Sequence, residues 1–199
     1  TSIENIHKVI DPLFLDEFRE EFDEIKSGKV PKIRRDKAQA FRSKLAGLTF
    51  LDPACGSGNF LTETYISLRR LENEALKLIY EDQIALDFGD VIKVSIGQFY
   101  GIEINDFAVT VAKTALWIAE SQMMKETEEI MNTNLDFLPL KSYANIVEGN
   151  ALRTDWETVV PKDKLDYIMG NPPFVGYSLQ SEDQKKDIED EIRAQQVKN

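Results

Sequence analysis

The chain has 199 residues and a formal charge of −11, with 42% hydrophobic and 30% charged residues, one cysteine and one histidine. That length bounds it to one domain or two, and no apolar run approaches the roughly 18 residues of a membrane span. Lone Cys55 excludes a disulfide framework and a cysteine zinc site, lone His7 disfavours a Ser-His or Cys-His engine, and a pI near 4.7 argues against a protein that simply coats nucleic acid.

Thr1–Lys8 is polar and no Met starts the chain, so the sequence reads as an excised piece without a secretory signal. Asp11 as cap, Pro12 at the first helical position and Gly28 as terminator predict a first helix, with Leu15, Phe18, Phe22 and Ile25 on one face. Lys26, Lys29, Lys32, Arg34, Arg35 and Lys37 form the basic cluster, whose default reading is a solvated loop. A second helix is expected to end at Gly47.

From there strands alternate with helices. Leu48–Leu51, Phe99–Ile104, Ala144–Val147 and Leu165–Met169 read as strands, and Asn59 to Leu78 and a stretch opening at Asp106 as helices. Ile84–Ser95 is ambiguous between helix, hairpin and insertion. Ser181 with Gln184 forms a capping box for a last polar helix. This alternation implies a parallel sheet with right-handed crossovers.

Four motifs carry chemistry. Asp52-Pro53-Ala54-Cys55-Gly56-Ser57-Gly58-Asn59-Phe60 follows a strand and opens a helix, where glycines admit a ligand to the backbone and free N–H groups face it. It is not the G-x-G-x-x-G of dinucleotide sites, and its acidic residue favours a cationic or amine-bearing ligand over a pyrophosphate. Cys55 reads as a small filler rather than a nucleophile. Glu103, in Tyr100-Gly101-Ile102-Glu103-Ile104, ends the next strand, where a carboxylate can accept both hydroxyls of a ribose. After the third strand, in Glu148-Gly149-Asn150-Ala151-Leu152, Asn150 and the Ala151 N–H suit an adenine edge, although a plain turn fits the local sequence equally well. Last comes Asn171-Pro172-Pro173-Phe174. Its prolines fix the backbone so that the Asn171 side-chain oxygen and the Pro172 carbonyl face one point, as gripping a planar amino group requires, and Phe174 offers a stacking ring.

In this order the motifs resemble those of class I S-adenosylmethionine-dependent DNA adenine methyltransferases of the gamma arrangement. Segments such as Leu68-Arg69-Arg70-Leu71-Glu72 resemble the MmeI-like branch, in which one chain carries restriction and modification. The resemblance covers about residues 10–190. It implies an α/β, Rossmann-like class I fold: a partial, doubly wound parallel sheet of about four strands behind an N-terminal helical segment. Residues 1–47 would form that segment and 48–199 the cofactor-binding part of a catalytic domain, cut after the N-P-P-F motif. It also implies roles. Asp52, with Pro53, Ala54, Cys55, Gly56, Gly58, Asn59 and Phe60, would hold the methionine end of S-adenosylmethionine. Glu103 would take the ribose, while Ile104, Asn150 and Ala151 take the adenine. Asn171, Pro172 and Pro173 would grip the target amino group, with Phe174 stacked on its base. One departure stands: the Thr-Pro motif that usually precedes the glycine loop is not evident over 30–40, so contacts from that side are unassigned.

The implied reaction transfers a methyl group to the 6-amino group of an adenine flipped out of duplex DNA, in a restriction-modification system of the bacterial cytoplasm. No metal is needed, and no nuclease site is visible. With a charge of −11, the DNA-reading surface is expected from a C-terminal region beyond Asn199, leaving a sheet edge beside the fourth strand. Protein glutamine and ribosomal-RNA methyltransferases use the same tetrapeptide on the same fold, and a non-catalytic partner module is a further alternative. The recognition sequence and oligomeric state are not legible.

Overall fold

The computed structural model describes residues 1–81, 91–132, 144–172 and 180–197, with side chains through 190. The chain opens on α1 (Ile3–Ile10), where the Ser2 hydroxyl accepts the Asn5 N–H. The helix expected to start at Asp11 and Pro12 does not start there. Asp11–Leu15 forms a π-helical turn, closed by the Asp16 N–H on the Asp11 carbonyl, that leads into α2 (Asp16–Lys26). Proline lacks an N–H and crowds the carbonyl four residues back, and a wide turn absorbs both defects. α3 (Pro31–Gly47) starts on a proline and stops at the expected glycine.

The alternating part follows: β1 (Phe50–Asp52), α4 (Asn59–Tyr80), β2 (Phe99–Glu103), α5 (Asp106–Met131), β3 (Asn145–Glu148), β4 (Tyr167–Ile168) and α6 (Glu182–Val197). Each strand lies within two residues of its expected place. The capping box also forms: the Ser181 N–H donates to Gln184 Oε1 at 2.9 Å and the Gln184 N–H to Ser181 Oγ at 3.2 Å. Of the ambiguous Ile84–Ser95 stretch, residues 84–90 lie outside the described residues.

All pairings are parallel and the order is β3-β2-β1-β4. Phe50, Phe99 and Ile146 point into the core that α1 to α5 build on one face, so α1–α3 share that core with the sheet. Phe50 stacks on Phe99 at 5.2 Å and on Tyr167 at 5.4 Å. Leu51, Ile102 and Val160 occupy the other face, under Trp156, Val159 and Leu165 of the β3–β4 connection. β4 is an edge strand of this sheet, with Ile168 52% exposed.

A buried network fixes α3, α4 and α5 to one another. Glu72 pairs with Arg42 and Arg69, and also accepts the N–H groups of Lys93 at 2.7 Å and Val94 at 3.2 Å. Arg69 reaches on to Thr127, whose hydroxyl donates to Asn73. No helix among the described residues is long and apolar enough to cross a membrane.

Candidate active site

The strand order fixes where a ligand fits. The chain steps from β1 to β2 to β3 in one direction, then returns to the far side of β1 for β4. In open parallel sheets a crevice forms at the carboxyl ends of the strands where the order reverses. Asp52, Glu103, Glu148 and Met169 end or directly follow the four strands, so the four motifs meet at one end of the sheet.

Asp52 is only 2% exposed. Its Oδ1 accepts the Ala54 N–H at 3.0 Å, which closes the turn through Pro53. Burial, with help from the Glu103 charge, pushes its pKa up to about 6. The carboxylate is packed under Gly170, where any Cβ would collide with it. Gly170, next to Asn171, therefore lets the fourth motif close over the first.

The glycine loop is tied to β2. The Cys55 N–H donates to the Ile102 carbonyl at 3.1 Å and the Gly56 N–H to Glu103 Oε2 at 2.8 Å. Glu103 Oε1 accepts the Asn105 N–H at 2.9 Å. Gly58 adopts a left-handed φ of 78° as it caps α4, and a Cβ there would stand 2.9 Å from that of Ala112 on α5. Cys55 is buried, and burial beside Asp52 and Glu103 pushes its thiol up to about 12, as a filler requires. Phe60 is buried in the core and Asn59 receives the Ser57 hydroxyl at 3.3 Å; neither lines the crevice, and neither do Asp52, Cys55 and Gly58, which shape it from beneath.

The crevice is a cavity of about 660 Å³. Pro53, Ala54, Gly56, Glu103 and Ile104 line one side, Asn150 and Ala151 the next, and Asn171 and Pro172 the mouth toward β4. Ile104 is 68% exposed and lines the cavity. The Asn150 Oδ1 accepts the Leu152 N–H at 3.0 Å, and the Ala151 carbonyl is taken by the Trp156 indole at 2.8 Å. Asn171 Nδ2 faces Thr1 Oγ1 at 3.5 Å. Pro173 and Phe174 lie outside the described residues.

The fourth wall comes from residues that the sequence did not assign to the site. Gln180 and the α6 residues Gln184, Asp187 and Ile188 close the cavity opposite the strands. Asp187 accepts the Asn150 amide at 2.9 Å and the Arg153 Nε at 2.7 Å. Nothing local marks it: it is one acid among several on a polar helix, and only the fold brings it across to Asn150.

Comparison with known proteins agrees with this geometry. Residues 28–199 match the family model for the MmeI DNA-methyltransferase domain. The chain is 40% identical over 191 residues to DNA methyltransferase A of Bacillus subtilis (strain 168), which covers 94% of this chain and 21% of that protein. It is 34% identical over 85 residues to a putative type II restriction enzyme and methyltransferase of Methanocaldococcus jannaschii, over 41% of this chain and 7% of that protein. Among solved structures, the type IIL restriction-modification enzyme MmeI in complex with DNA superposes with a TM-score of 0.86 at 44% identity, over 94% of this chain and 24% of that one. The chain thus spans about a fifth to a quarter of the length of the Bacillus subtilis protein and of MmeI.

Proposed function

The chain belongs to the MmeI DNA-methyltransferase family, and from that premise we propose that it transfers a methyl group from S-adenosylmethionine to the 6-amino group of adenine in duplex DNA, as the modification part of a restriction-modification enzyme. One observation carries the reading: a single cavity joins the Gly56–Glu103–Asn150 end of the sheet to the Asn171–Pro172 acceptors.

The residues fit that cofactor. Asp52 is a buried carboxylate whose pKa of about 6 leaves its charge in want of a cationic partner, and the methionine half carries an ammonium and a sulfonium. Glu103 spends one bond per oxygen on backbone, so a carboxylate with about four acceptor positions keeps room for a ribose diol. Ile102 and Ile104 give the base an apolar floor, and the Ala151 N–H faces its edge. S-adenosylmethionine, when bound, supplies an electrophilic methyl group.

The chain must then make the target base a nucleophile. The adenine amino group is a poor one because its lone pair is delocalised into the ring. Asn171 Oδ1 and the Pro172 carbonyl accept its two N–H groups, which favours a pyramidal nitrogen and localises that pair. The contact of Asn171 Nδ2 with Thr1 leaves the amide oxygen for this task. The resemblance gives Phe174 the role of stacking on the flipped base. Catalysis rests on positioning and on preorganised acceptors rather than on a covalent intermediate. Duplex DNA is the partner, held by a surface supplied from the C-terminal region of the full-length enzyme.

Calorimetry with S-adenosylmethionine tests the cofactor half of this reading. Binding that is competed by S-adenosylhomocysteine and not by NAD or ATP is expected. A preference for either nucleotide would overturn it.

A further inference from the structure

The wall that α6 gives the cavity is built around one carboxylate. The Asp187 side chain is 9% exposed and lines the space beside Asn150 and Ala151. Its Oδ1 takes two N–H groups of Arg153 and its Oδ2 takes one from the Asn150 amide. A carboxylate has about four acceptor positions. Three are filled, and the fourth belongs to Oδ2, the oxygen next to Asn150. Asn150 has little left to give: its amide nitrogen is held by Asp187 and its oxygen by the Leu152 N–H.

A simple latch for α6 does not account for this placement. Arg153 is 62% exposed, and a pair with one partner in solvent contributes little. A ligand donor at the open Oδ2 position would complete the acceptors of a carboxylate that lines the cavity.

We propose that Asp187 is a cofactor-binding residue whose carboxylate accepts the exocyclic amino group of the cofactor's adenine and holds Asn150 in register beside it. The inference rests on the S-adenosylmethionine reading of the cavity and adds the residue that selects its base. The Ala151 N–H is a donor and Asp187 an acceptor. Together they match the ring-nitrogen and amino edge of adenine, and they oppose hypoxanthine, which presents a carbonyl oxygen and a ring N–H there.

The test compares S-adenosylhomocysteine with S-inosylhomocysteine, which has a carbonyl in place of the amino group, by calorimetry on the full-length protein. The wild type is expected to prefer the adenosyl compound at least tenfold. Asp187→Ala should narrow that preference to threefold or less, and Asp187→Asn, whose amide can turn a donor toward the hypoxanthine carbonyl, should narrow it at least as far. An unchanged preference in both variants would reduce Asp187 to a packing contact and overturn the proposal. A wild type that binds neither compound would instead overturn the cofactor reading on which the proposal stands.

Discussion

Glu103 Oε2 accepts the backbone N–H of Gly56 at 2.8 Å. The carboxylate that ends β2 thus sets the path of the loop that follows β1, and the subsites proposed for ribose and methionine would form one unit. Glu103→Ala removes this bond and would remove the proposed diol contacts, and hydrogen bonds to a charged group contribute about 1.5–3 kcal/mol each. S-adenosylmethionine affinity should fall at least a hundredfold by calorimetry, with a smaller loss for Glu103→Gln. Wild-type affinity in the alanine variant would contradict the assignment.

On the proposed reading, Asp52 trades stability for binding. Its folded-state pKa of about 6 stands above the ordinary 3.8, so its extra stability is present below that ordinary value and is lost as pH rises through about 6. At neutral pH the buried charge costs about 3 kcal/mol, because each tenfold change in proton affinity is worth about 1.4 kcal/mol. Asp52→Asn should therefore melt roughly 6–12 °C higher than the wild type at pH 7.5, with the gap closing toward pH 4, and should lose cofactor affinity. A gap that does not change with pH would place the effect elsewhere.

The same carboxylate predicts how binding responds to pH. A cationic ligand favours ionised Asp52, so affinity should drop about tenfold for each pH step of one below pH 6. Asp52→Asn should flatten that profile, as titration calorimetry from pH 5 to 8 would show.

Glu72 carries the helical layer. Removing it leaves the Arg42 and Arg69 guanidiniums, both almost fully buried, without their shared carboxylate. Breaking a buried pair from one side costs about 3–5 kcal/mol. Glu72→Ala should lower the denaturation midpoint accordingly, or prevent folding. A loss under about 1 kcal/mol, small against that range, would show that the network carries little.

Asn171 separates chemistry from cofactor binding. Asn171→Ala should abolish methyl transfer while S-adenosylmethionine binds within threefold of the wild type. Full transfer in this variant would remove the amide from the mechanism.

The turn and helix start that place the glycine loop could be read from the sequence because their signals are local. Asp52 to Gly58 is a strand end, a turn and a helix start in one run, and short-range rules place all three. The Leu48–Leu51 and Phe99–Ile104 stretches likewise announce their strands by composition. Pro12 misleads because proline favours a helix start, yet seven buried apolar residues from Ile6 to Ile25 keep one helical path through it and leave a π-turn as the compromise. Asp187 is silent for a different reason. Its partners Asn150 and Arg153 are more than thirty residues away, and no spacing rule reaches that far. Arg69 and Glu72 have a visible helical spacing, but their burial depends on where α3 and α5 pack.

Whether this cavity serves methyl transfer to adenine in DNA is decided by where the methyl group goes. The full-length protein is incubated with S-adenosylmethionine carrying a labelled methyl group and with duplex DNA, structured RNA and protein. Nucleoside digestion and mass spectrometry then locate the label. Label is expected on duplex DNA as N6-methyladenine, and is expected to vanish in Asn171→Ala. Label on RNA, on a glutamine side chain or on cytosine would contradict the assignment.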